Sequence, residues 1–358
     1  MKKVLALIMT STMLLSMAAC SSNQATATTT AASGTATTKT ITEGVKKADG
    51  TPIKIAWIGK TLNNPWWVSV ADFAVAEGKN EGVELTISLP QEEVDLEKQV
   101  SMVEAAITQK VDAIIISAAS SDGIIPSIDK ARAAGIKIIN FDTRISDPTK
   151  YDAFVGGDDV AGAYKAGKYI CEQLGGKGEV GLITGLLAQS TGVDRREGFL
   201  KACSEYPDIK VVAEASAEWR SDTAATVTEN MLTANPNIKA IFACNDQMAV
   251  GMANTCKAKG FSQDDLILVG FDGIQDATKL VLSGDLDAFV ALPNIEEGAY
   301  AVRIATALVL NDNYKFSREL IFDTPLVTVD YVDGLTDMTI YEFAAIHFPL
   351  MGLTDKGY

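Results

Sequence analysis

Hydrophobic and polar positions alternate in long blocks from residue 53 onward. Nine apolar, β-branched runs read as buried strands: "IKIAWIG" from Ile53, "VELTISL", "DAIIISA", "IKIINFD", "GEVGLITG", "IKVVAEA", "IKAIFAC", "LILVGFD" and "LDAFVAL", which ends at Leu292. Near-continuous apolar runs suit strands covered on both faces rather than half-exposed ones. The segments between them have helical length and helical spacing. "DLEKQVSMVEAAITQK" places Leu96, Val100, Val103 and Ile107 on one face. "DGIIPSIDKARAAG" ends on Gly135, a residue type that closes helices. Strand and helix in alternation predict an α/β protein with doubly wound parallel sheets. Nine strands exceed one ordinary sheet, so two domains are expected, with a break near "YDAFVGGDD", residues 151–159.

Ligands of such sheets bind outside the carboxyl ends of the strands. Reading the residues just past each run gives Asn63, Asn64, Trp66 and Trp67; Ser117 and Ser120; Asp142, Thr143 and Arg144; Asp158 and Asp159; Trp219 and Arg220; Asn245 and Asp246; and Asp272. The opening set, "TLNNPWW", puts two indoles beside two amides and a proline, a composition that suits a loop facing a ligand better than a core. Carboxylates, amides and an arginine each bond two neighbouring hydroxyls. Aromatic faces stack on C–H patches. Together they suit a sugar. Any one strand-end Asp also suits a helix cap.

The chain has 358 residues, a formal net charge of −15 and a pI of about 4.6. This acidity argues against nucleic acid and against anionic lipid surfaces, which require clustered Lys and Arg. Lys2 and Lys3 precede an apolar stretch, "VLALIMTSTMLLSMAA", and then Cys20, which gives residues 1–20 the form of a bacterial lipoprotein signal whose cysteine is acylated. Met17 stands where that signal usually has Leu. Residues 21–50 are Thr-, Ala- and Ser-rich and read as a flexible tether. The expected location is outside the cytoplasm, lipid-anchored to the cell membrane.

Cys171, Cys203, Cys244 and Cys256 have neither disulfide-framework nor zinc spacing and read as buried thiols. His347 is the single histidine, and nothing near it supplies a nucleophile for a Ser-His-Asp or Cys-His site. "LGGKGEVG" precedes a strand, so it is a helix stop rather than a phosphate loop. Neither a metal nor a cofactor is expected, and the site reads as one that holds rather than reacts.

"TLNNPWW", "IINFDTR", "DRREGF", "IFACNDQMAVG" and "LILVGFDG" occur in the order found in ribose-type periplasmic sugar-binding proteins, the substrate-binding components of ABC importers, and the chain resembles that family over residues 52–330. The resemblance implies two α/β lobes joined by three crossovers near residues 157, 292 and 322. The first lobe would comprise residues 51–157 and 292–321, the second 158–291 and 322–335, with a C-terminal extension over 336–358. It also implies sugar contacts from Asn64, Trp66, Trp67, Asp142, Arg195, Trp219, Asn245 and Asp272. Two positions depart from the ribose pattern: Thr143 stands where Arg is usual and Ala291 where Gln is usual. A pentose, a hexose, a furanose or a polyol all fit that change. The implied partners are the ligand and the permease subunits, with the protein itself a monomer. A repressor core is disfavoured because a signal sequence stands where DNA-binding helices would be. A glycosidase pairing Asp142 with Asp272 is disfavoured by the receptor-like motifs. A sensory receptor serving a membrane kinase or chemoreceptor remains open.

Overall fold

The computed structural model describes residues 44–311 and 316–332. Cys20, the tether up to residue 43, His347 and the C-terminal extension lie outside the described residues. The chain opens with β1 (Lys54–Ile58), α1 (Pro65–Glu81), β2 (Glu84–Ser88), α2 (Leu96–Gln109), β3 (Ala113–Ile116), α3 (Ile125–Ala133), β4 (Lys137–Phe141) and β5 (Ala153–Gly157). It continues with α4 (Asp159–Gln173), β6 (Lys177–Thr184), α5 (Ser190–Ser204), β7 (Asp208–Ser216), α6 (Ser221–Ala234), β8 (Ile238–Ala243), α7 (Asp246–Ala258), β9 (Ile267–Asp272), α8 (Gln275–Ser283) and β10 (Ala288–Ala291). It closes with α9 (Asn294–Leu310), β11 (Glu319–Phe322), β12 (Leu326–Thr328) and the short α10 (Val329–Val332).

Two six-stranded sheets result, ordered β11-β5-β4-β3-β1-β2 and β12-β10-β9-β8-β6-β7. Every pairing is parallel except β10 with β12. Helices cover both faces, which is why β3 is buried along its whole length. The fold is therefore α/β with two lobes, one per sheet. The chain passes between the sheets after β5, after β10 and between β11 and β12.

Three strands escape the hydrophobic pattern. Residues 151–159, read above as a break, contain β5, and the two glycines that end its "AFVGG" cut the apolar run short. Edge strands β11 and β12 are three or four residues long and only partly buried, so their pattern is weak. "NNPWW" is also more than a loop. Asn64 caps α1, its Oδ1 accepting from the Trp66 amide at 3.0 Å, and Pro65 fills the first helical position. Trp66 and Trp67 are thus first-turn helix residues.

Candidate functional site

Within each sheet the strand order reverses beside its first strand, and the loops leaving the carboxyl ends of both sheets meet. Between them lies a narrow cavity lined by Lys60, Asn64, Trp66, Trp67, Glu93, Asp142, Thr191, Arg195, Trp219, Asn245 and Asp272. All eight residues named from the sequence line this one space. Lys60, Glu93 and Thr191 were missed. Lys60 follows β1 by two residues and could have been found by the strand-end rule; Glu93 lies further along the loop from β2 to α2, past the residues that rule samples.

Arg195 organises the second lobe's side. It is 3% exposed, and its Nε donates to Asp159 Oδ1 at 2.7 Å while Nη1 donates to Asp272 Oδ1 at 2.9 Å and to the Cys244 carbonyl at 2.8 Å. Its guanidinium lies 4.1 Å from the Phe271 ring centroid and 5.5 Å from that of Trp219. Burial opposes the Arg195 charge, but Asp159, Asp272 and Asp142 outweigh it and hold the group protonated. Burial pushes Asp272 up to about 7 and Asp159 up to about 6, against the pull of Arg195.

On the first lobe's side, Asp142 Oδ2 accepts from Ser117 Oγ at 3.0 Å and Thr143 Oγ1 at 2.8 Å. Glu93, 13% exposed at its side chain, is raised by burial while Lys60, 3.4 Å away, opposes that. Trp66 and Trp67 stand edge to face with centroids 4.9 Å apart, and Trp67 also packs on Phe141 at 5.8 Å. Both indoles are therefore core as well as cavity wall. Asn64 and Asn245 each line the cavity and use Oδ1 to cap a helix, accepting from the Trp66 and Met248 amides.

The remaining strand-end residues serve the frame. Asp158 caps α4 through the Ala161 amide. Asp246 accepts from the Gly273 and Ile274 amides and so fixes the loop that presents Asp272. Ser120 accepts from the Gly123 amide. Arg144 stacks on Phe154 at 3.6 Å and lies 3.4 Å from Glu319, away from the cavity. The four cysteines are buried and free, with Cys171 and Cys203 in sulfur contact at 4.0 Å.

Fold and cavity together define a two-lobed solute-binding protein. The family described as "Periplasmic binding protein domain" matches residues 55–313, and the chain belongs to that family, in its ribose-type sugar-binding branch. Its members bind solutes outside the cytoplasm and are not enzymes. The chain is 34% identical over 252 residues to the D-allose-binding periplasmic protein of Escherichia coli (strain K12), covering 68% of this chain and 81% of that one. It is 30% identical to a xylitol-binding protein of Mycolicibacterium smegmatis, covering 73% and 74%. Among solved structures it resembles an ABC transporter solute-binding protein of Actinobacillus succinogenes with bound D-allose, at TM-score 0.73, 33% identity and coverage of 79% and 99%. It also resembles the fructose-binding periplasmic domain of a hybrid two-component system, at TM-score 0.74, 28% identity and coverage of 79% and 93%.

Proposed function

We propose that the cavity holds one monosaccharide or related polyol, captured between the lobes and handed to an ABC permease. The observation that carries this reading is the convergence of three tryptophans with Asn64, Asp142, Arg195, Asn245 and Asp272 on one cleft supplied by both sheets. Indole faces would cover C–H patches while amides and carboxylates pair the hydroxyls. A ligand touching both lobes binds their closed arrangement best and shifts the population toward it. In this reading the lobes change over at the three crossings, the mature protein is a monomer, and acylated Cys20 tethers it to the membrane.

A thermal-shift screen over pentoses, hexoses and polyols, followed by calorimetry, tests the reading. A true ligand at about 100 times its dissociation constant adds about 2.7 kcal/mol of stability. A screen in which no member shifts the melting point would overturn it. A second reading, sensing on behalf of a membrane kinase, is favoured by the likeness to the periplasmic domain of a hybrid two-component system. Co-purification with a permease or with a kinase separates the two.

A further inference from the structure

Cys171 and Cys203 lie in the last turns of α4 and α5, and their sulfurs are 4.0 Å apart. About 18 Å of helix separates Cys171 from Asp159, the partner of Arg195, so the pair stands at the far end of the second lobe from the cavity. Two glycines set the approach of the helices. A methyl added at Gly167, one turn before Cys171, would meet the Ala202 Cβ at 2.7 Å, and one added at Gly198 would run into the Val160 carbonyl oxygen. Close packing of this kind is what lets facing cysteines be bridged, because a disulfide spans Cα atoms no more than ~7 Å apart. Bringing the sulfurs from 4.0 Å to a bond of ~2.05 Å asks each to move by about 1 Å.

The two helix ends are also tied by polar groups. Lys168 Nζ donates to the Tyr206 hydroxyl at 2.6 Å and lies 3.6 Å from Glu205. Cys171 is fully buried and Cys203 is 4% exposed. The family works outside the cytoplasm, where paired thiols oxidise.

We infer that Cys171 and Cys203 are a disulfide-forming site that staples α4 to α5 in the exported protein. The bond forms by exchange with an oxidant disulfide while the chain folds, before the helices cover the sulfurs. One cysteine thiolate attacks a sulfur of the oxidant, whose S–S bond breaks and releases one thiol. The other cysteine thiolate then attacks the mixed disulfide, forming the Cys171–Cys203 bond and releasing the second thiol. The pair gives up two protons and two electrons, and the oxidant disulfide takes up both. The bond joins positions 32 residues apart and so removes freedom from the unfolded chain. It also fixes against each other the two helices that carry the Asp159–Arg195 ion pair.

The test takes the full chain from the envelope of a bacterium that exports it, quenches thiols with acid, and alkylates it in denaturant before and after reduction. Mass spectrometry then reads each cysteine. Cys171 and Cys203 should alkylate only after reduction, with a peptide pair linked through them beforehand, while Cys244 and Cys256 alkylate in both samples. Alkylation of all four without reductant, or a link between any other two cysteines, overturns the proposal. The melting point of wild type should fall by roughly 5–10 °C when it is reduced in denaturant and refolded with dithiothreitol present. Cys171→Ala/Cys203→Ala should lose that response, which separates the bond from the packing of the side chains. Wild type alone carries the test if the variant does not fold, since a melting point unchanged by reduction also overturns the staple.

Discussion

Asp142, Trp219 and Asp272 hold φ of +51°, +65° and +124°. Backbone in that region is unfavourable for residues with a Cβ, and it persists only where the surroundings enforce it. Here all three residues line one cavity, so the strain is concentrated where side-chain direction matters. Asp272→Asn keeps the shape and removes a charged acceptor. It should weaken sugar binding by roughly 10- to 100-fold, about 1–3 kcal/mol, in calorimetry. The ligand-free melting point should change little, because the amide oxygen still accepts from Arg195 Nη1 and Asp159 still pairs the guanidinium. Trp67 differs because it is wall and core at once. Trp67→Ala should lower ligand-free stability by ~3–5 kcal/mol in denaturant titration and also weaken binding. Wild-type affinity in the folded fraction would remove Trp67 from the site.

At the scale of elements, the site depends on turns that follow strands. Gly185 comes directly after β6, and a methyl added there would meet Trp219 at 2.1 Å. The β6–α5 turn is thus glycine because an indole from the β7–α6 loop lies against its backbone. Gly185→Ala should displace Trp219 and weaken sugar binding by about tenfold, ~1.4 kcal/mol, with far-UV circular dichroism unchanged. Unchanged affinity would mean that Trp219 does not face the ligand. The same turn leads into Gln189 and Ser190, and Ser190 Oγ accepts from the Arg144 amide of the opposite lobe at 2.8 Å. One short connection therefore both shapes the wall and joins the lobes.

At the scale of the molecule, buried carboxyls set the response to pH. Glu297, in the first turn of α9, is fully buried, and neither carboxyl oxygen finds a hydrogen-bond partner. Burial first, then Asp142 and Asp159, raises it well above the ordinary range. Asp159 and Asp272 are raised to about 6 and about 7. Unfolded carboxyls titrate near ~4. The folded protein therefore holds protons that the unfolded chain releases between these values, so stability falls as pH rises through about 6 to 7. Ligand-free melting should drop from pH 5 to pH 8. Glu297→Gln should flatten that slope, and an equally steep slope in the variant would exclude Glu297 as a contributor.

The α/β class and the two lobes follow from the sequence because buried parallel strands need continuous apolar runs, and nine such runs are visible. The strand-end rule also brought out Asp142, Asn245 and Asp272, since Asp142 directly follows β4, Asn245 stands two residues past β8 and Asp272 is the last residue of β9. Other features could not be read locally. β5, β11 and β12 are held by neighbours rather than by their own apolar content. Whether a strand-end acid faces the cavity or the frame was decided by packing: Asp272 lines the cavity, while Asp246, one residue past Asn245, turns to the Gly273 and Ile274 amides. Trp66 and Trp67 read as loop residues because Asn-Asn-Pro marks a chain reversal as readily as a helix start, and only the cap bond from Asn64 separates the two. Lys60 shows the limit most plainly. A lysine after a strand is ordinarily a solvated charge. It becomes a buried wall here because Thr143, Glu93 and Asp142 from the first lobe and Gln189 from the second converge on its ammonium, a meeting of residues up to 129 positions apart that only the tertiary structure brings about.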